Sequence, residues 1–212
     1  MIGINDVVNE AIEKCNSALS LVSEANALLS GNAAGNGVFF SQSHCDLLIE
    51  RGFMCFFEAL ESYMERVFIC YMLGKTGING NVVNRYVFPL NEEHAEKMLR
   101  GKDKYMDFTS RVIIDTYAEN FFEGRGPFTF LDGVSQDFED MKKIRNRISH
   151  VSLKSQREFE SLVRSRVSFL PTNVSVASFL MTFVPRQRTT FFAYYLDVTK
   201  GIINAIANPV NK

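Results

Sequence analysis

The run Arg145-Asn146-Arg147-Ile148-Ser149-His150 sets an arginine, an amide directly after it and a histidine five positions on within one short segment. Arginine carries a permanent charge in a planar fork that matches phosphate oxygens. Histidine, with an ordinary pKa of about 6.5, takes or gives a proton at neutral pH. Cutting RNA without a metal needs these two abilities. A proton leaves the ribose 2′-OH, a crowded phosphorane is steadied, and the departing 5′ oxygen is protonated. An Arg-Asn-x-x-x-His run arises by chance in about one chain of this length in a hundred at ordinary composition. Asn146 and His150 are four apart and share a helix face, so the amide can orient the imidazole or touch phosphate. Arg145 stands about 140° round an ideal helix from His150, so convergence on one phosphate needs a distorted last turn or two chains. One histidine also does not easily make both proton transfers.

The motif needs an element to hold it. Phe138, Met141, Ile144 and Ile148 form an apolar line that predicts a helix starting near Ser135. Ser155-Gln156-Arg157-Glu158 fits a capping box, so a further helix is expected just after His150 and the motif falls beside a break. Upstream, the spacing predicts helices from about Ile4 to Leu29 and from about Ser43 to Leu73. The stripe of the second includes Ile49, Phe53, Phe57, Leu60 and Met64. Gly31 to Gly37 reads as the loop between them. Asn91 reads as the N-cap of a third helix, reaching about Phe122 with a break near Gly101. Glu123-Gly124-Arg125-Gly126-Pro127 is a stop. Phe169 to Pro185 is ambiguous between irregular chain and a short helix, and Thr190 to Ala207 reads as a closing helix. The fold expected is all-α, a bundle of about five helices in a single domain over residues 1–212.

Composition bounds the function. Residues 1 to 140 hold 11 Lys/Arg against 21 Asp/Glu, whereas 141 to 188 hold 10 against two. That basic block contains the motif, which fits an electrostatic footprint for a polyanion as well as a solvated helical face. Lys142, Lys143 and Arg147 are the candidate RNA-steering cations. Cys15, Cys45, Cys55 and Cys70 show no CxxC pairing, which points to free thiols and a reducing cytoplasm. No apolar stretch is long enough to cross a bilayer, and the N-terminus has no basic start followed by an apolar run, so a cytoplasmic chain is expected. His44, His94 and His150 lack ligand spacing, so no zinc or other cofactor is expected. Glu50 and Glu61, at the edge of the second helix's stripe, read as rim positions that can also support a site.

Phe57-Glu58-Ala59-Leu60-Glu61-Ser62-Tyr63-Met64-Glu65, followed downstream by Lys142-x-x-Arg145-Asn146-x-x-x-His150, resembles the HEPN superfamily, in particular its bacterial branch associated with toxins and phage defence. The resemblance covers the layout from residue 43 to 170, and its specific part is Arg145-Asn146…His150. It implies a helical bundle that dimerises, with the two Arg/His motifs meeting across the dimer cleft and RNA cut without metal. Arg145 and His150 then take the catalytic positions and Asn146 the polar one. RNA is the implied partner, with an antitoxin or other protein partner in a toxin setting. The alternative is a catalytically silent helical module that binds a nucleotide, an RNA or a protein through the same basic surface.

Overall fold

The computed structural model describes residues 3–31, 40–101, 106–169 and 171–210. Helices are α1 (Ile4–Gly31), α2 (Gln42–Met72), α3 (Glu92–Arg100), α4 (Arg111–Phe121), α5 (Ser135–Ser149), α6 (Leu153–Val167), α7 (Val176–Leu180) and α8 (Phe191–Ala207). A 3₁₀ segment, Glu123–Asp132, lies between α4 and α5. The described residues contain no strand, only the isolated bridges Arg85–Phe122 and Phe183–Thr190. The all-α expectation stands, but the number of helices does not: there are eight α-helices among the described residues, not about five. The helix expected from Asn91 to Phe122 is two, because the chain leaves helical geometry at Gly101, which has φ 57°. The glycine-rich loop expected over 31–37 lies, after Gly31, outside the described residues.

Contacts divide the chain into two compact units. One comprises Met1–Ile12, Ala59–Phe138 and Thr199–Lys212, the other Glu13–Glu58 and Glu139–Val198. The first is organised around aromatic rings: Phe68 lies 4.2 Å from Phe128 and 5.2 Å from Phe122. Tyr63 and Tyr71 are buried, and each hydroxyl donates to a carbonyl of α8, Ile203 at 2.8 Å and Ile206 at 2.6 Å. These bonds satisfy the one polar atom that a buried tyrosine carries. In the same unit Arg125, at φ 64°, pairs with both Asp115 and Asp132, and Arg111 pairs with the same two carboxylates. The ion pairs fasten the 3₁₀ segment to α4.

The second unit carries the motif. Its helices α1 and α2 meet at Gly52, where a Cβ would stand 2.7 Å from Val22 and 3.2 Å from the Ala18 carbonyl, so only hydrogen fits. Phe159, Phe179, Phe191 and Tyr195 form a column of neighbouring rings that joins α6, α7 and α8. Here α6 begins at Leu153, earlier than the expected capping box placed it. Ser152 is the N-cap, and Ser155 is its reciprocal partner at the third helical position.

Candidate functional site

The motif occupies the last turn of α5 and the residue just beyond it. Met141 and Ile144 are fully buried and hold the helix down, while Lys142, Lys143, Arg145, Asn146 and Arg147 are half-buried and His150 is exposed. One turn before the motif, Asp140 is fully buried. It accepts from Arg166 Nε at 2.6 Å and from the Tyr195 hydroxyl at 3.4 Å, and Lys143 Nζ stands 3.9 Å away. A buried carboxylate is tolerable only when it is paired and hydrogen-bonded, and this one is. It locks α5 against α6 and α8. Asp140 points inward because it lies four residues before Ile144, on the edge of the apolar stripe.

The backbone of His150 is fixed from both sides. Its N–H donates to the Asn146 carbonyl at 3.0 Å, continuing the helical ladder one residue past Ser149. Its carbonyl accepts from the Ser155 hydroxyl at 2.6 Å and the Ser152 N–H at 3.1 Å. Ser155 is buried at the first turn of α6, so the elbow between the two helices is closed by side-chain bonds. The imidazole itself hydrogen-bonds to no described residue. The other two histidines are committed differently. Nδ1 of His44 accepts from Ser41 N–H at 3.1 Å, and Nδ1 of His94 accepts from Leu90 N–H at 3.2 Å. His150 thus combines a pinned backbone with an uncommitted ring. Val151 and Leu153, directly after it, are 98% and 72% exposed.

Arg145 makes no ion pair with any described residue. Nη1 donates to Asn146 Oδ1 at 3.2 Å, and Nε is buried without an acceptor. The carboxylate nearest in sequence that might have taken it, Asp140, is committed to Arg166 and Lys143. The Arg145 and Asn146 side chains are therefore brought together, while the His150 imidazole bonds to neither side chain and only its backbone N–H reaches the Asn146 carbonyl. The half-buried Glu50 carboxyl of α2 is pushed up from its ordinary value, first by burial and then by Asp46, while the Ala177 backbone and the charge of Arg147 pull it back.

The larger cavities lie elsewhere. One of about 960 Å³ is lined by Val82, Val83, Pro127, Phe130, Pro209 and others of the first unit, and none of residues 142–150 lines it. Within the motif only Ser149 and His150 are exposed. Among the described residues no three of His, Cys, Asp and Glu are grouped to hold a metal ion, and no helix is long and apolar enough to cross a membrane. The four cysteines are free thiols, and Cys15, Cys45 and Cys70 are buried. No protein-family model, curated protein or solved structure matches this chain.

Asp140, Arg166, Tyr195 and Ser155 went unrecognised as supports of the motif. Asp140 and Ser155 carried a local signal, one from its place on an apolar face and the other from a serine three residues after Ser152. Arg166 and Tyr195 carried none, because they reach Asp140 only through the tertiary fold.

Proposed function

We propose that the chain is a metal-independent endoribonuclease of the HEPN type, with Arg145, Asn146 and His150 as its active residues. The observation that carries this reading is the uncommitted imidazole of His150 at a helix end whose backbone is bonded on both sides. Such a ring is positioned yet available, as a general acid or base must be. Arg145 supports the reading because its fork spends one hydrogen bond on Asn146 and no ion pair, leaving donors for phosphate. In the reaction, an imidazole removes the proton from the 2′-OH, and the 2′ oxygen bonds to phosphorus. The bond from phosphorus to the 5′ oxygen breaks, and a second imidazole protonates that oxygen. The products are a 2′,3′-cyclic phosphate and a 5′-hydroxyl.

Two imidazoles require two motifs, so we place the site at a homodimer cleft. Exposed Val151 and Leu153 beside His150 support an apolar contact there. Lys142, Lys143 and Arg147 surround the motif as steering cations. Lys143 is partly engaged by the Asp140 carboxylate. A role as a toxin or in phage defence, with an antitoxin or other protein partner, follows from the same resemblance.

The test is incubation of purified protein with total tRNA and rRNA in EDTA, beside His150→Ala and Arg145→Lys. Cleavage by the parent is expected, with none by His150→Ala. Arg145→Lys keeps the charge but loses the fork, so a loss of at least about a hundredfold is expected. Cleavage that needs Mg²⁺ or persists in His150→Ala contradicts the ribonuclease, and RNA binding without cleavage leaves the silent module.

A further inference from the structure

The chain between α7 and α8 folds into a short hairpin. The Val184 N–H donates to the Thr189 carbonyl at 2.9 Å, and the Phe191 N–H donates to the Thr182 carbonyl at 3.0 Å. At the tip the Gln187 N–H returns to the Val184 carbonyl at 3.0 Å, closing a four-residue turn with Pro185 second and Arg186 third. The base is clamped by Phe179 stacked on Phe191, their ring centres 4.5 Å apart. The loop is thus held at its base by aromatic packing and along its length by backbone bonds.

What the hairpin presents is specific. Arg186 and Arg188 are exposed at the tip, and Phe183 on one arm is 64% exposed. Neither guanidinium has a carboxylate partner among the described residues, and no Asp or Glu occurs between Glu160 and Asp197. Some cations of the basic block are engaged, Arg166 and Lys143 by Asp140 and Lys154 by Glu158, whereas Arg145, like the two hairpin arginines, has no carboxylate partner among the described residues. Arg186 also has φ 64°. A turn with proline second and positive φ third favours glycine there, since a side chain in that conformation is strained. The chain carries an arginine where its backbone would be easier without one.

We infer that the hairpin Thr182–Phe191 is a contact for single-stranded RNA: Arg186 and Arg188 meet successive phosphates, and Phe183 receives a base on its face. Unpaired arginines with an exposed ring are the chemistry of a sequence-tolerant single-strand contact. An acidic protein surface would satisfy the arginines but offer the ring no base to stack on, and an anionic membrane, which would take both, is the competing source that the vesicle measurement separates. This inference rests on RNA being the substrate, and it gives the strand a second hold at the hairpin.

The experiment uses His150→Ala as a non-cleaving parent and measures its affinity for a fluorescent uridine-rich RNA of about 16 nucleotides. Arg186→Ala with Arg188→Ala is expected to weaken binding at least tenfold and to flatten the salt dependence by about 1.4 in log–log slope, for two phosphates released. Phe183→Ala should lose about tenfold with the salt slope unchanged, as expected of a stacking contact. Arg186→Gly removes the charge while relieving the turn, so affinity should fall with no loss of thermal stability. Parental affinity in the arginine and phenylalanine variants overturns the hairpin and leaves the ribonuclease standing. So does binding to anionic phospholipid vesicles that is lost with the same arginines while RNA binding is kept. Failure of the parent to cleave, with hairpin-dependent RNA binding intact, overturns the ribonuclease and leaves the hairpin.

Discussion

At the scale of single residues, the difference between His150 and its two counterparts is one of commitment. His44 and His94 spend a ring nitrogen on a backbone N–H at a helix start, whereas His150 spends only its backbone. Ser155 is the residue that makes this possible, so it is a positioning residue. Ser155→Ala is expected to lower the cleavage rate by about tenfold, with an ordinary capping loss of about 1 kcal/mol in stability. An unchanged rate in a variant that shows the stability loss would mean that the His150 carbonyl needs no anchor. Asp140 supports the site by another route. Asp140→Asn removes the charge from a fully buried carboxylate whose partner Arg166 is only partly buried, at a cost of about 1–3 kcal/mol measured by urea unfolding. Glu50 gives a pH-dependent readout. Its folded carboxyl sits above the ordinary range, so the folded chain binds that proton more tightly than the unfolded one does. Its contribution is therefore full below the unfolded pKa and declines as pH rises through the folded one. Glu50→Gln keeps an acceptor for the Ala177 N–H and discards the desolvated charge. It should raise the melting temperature more at neutral pH than at about pH 4, and an equal shift at both would show that desolvation of Glu50 has no effect.

At the scale of elements, the motif depends on how α5 ends and α6 begins. The sequence made much of this visible. Phe138, Met141 and Ile144 marked the buried line of α5, and the start near Ser135 holds. The long apolar stripe of α2 and the Asn91 cap were equally plain, and Asn91 does accept from the His94 N–H at 2.9 Å. The helix expected just after His150 is there, starting at Leu153, but its capping box is formed by Ser152 and Ser155 rather than by Ser155 and Glu158. Phe169 to Pro185 resists reading because α7 is only five residues long, although Ser175 and Ser178 cap it locally. Phe179 is held there by Phe159 and Phe191, contacts that periodicity does not reveal. The site divides in the same way. Arg145, Asn146 and His150 stood out as a run, but which cations are free was not legible, since Arg166 finds Asp140 26 residues away. Disturbing the elbow as an element should therefore separate activity from fold. Ser152→Ala is expected to reduce activity together with Ser155→Ala in a non-additive way, because both act through one cap. Additive losses would indicate two separate roles.

At the scale of the whole molecule, one chain offers one histidine at the motif, and the proposed chemistry asks for two proton transfers. The chain is accordingly expected to be a homodimer at micromolar concentration by light scattering. Val151→Asp or Leu153→Asp should shift it toward monomer and reduce cleavage in parallel, because apolar surface at the contact would then carry charge. A strict monomer with full activity would remove the two-chain site. The measurement that addresses the central claim most directly is the chemical identity of the RNA ends. An oligonucleotide cut in EDTA is analysed by mass spectrometry beside the same oligonucleotide with 2′-deoxyribose at the cleaved position. If His150 and Arg145 drive attack by the substrate's own 2′-OH, the upstream fragment carries a 2′,3′-cyclic phosphate, the downstream fragment a 5′-hydroxyl, and the deoxy substrate stays whole. A 5′-phosphate end, or cleavage of the deoxy substrate, contradicts the account.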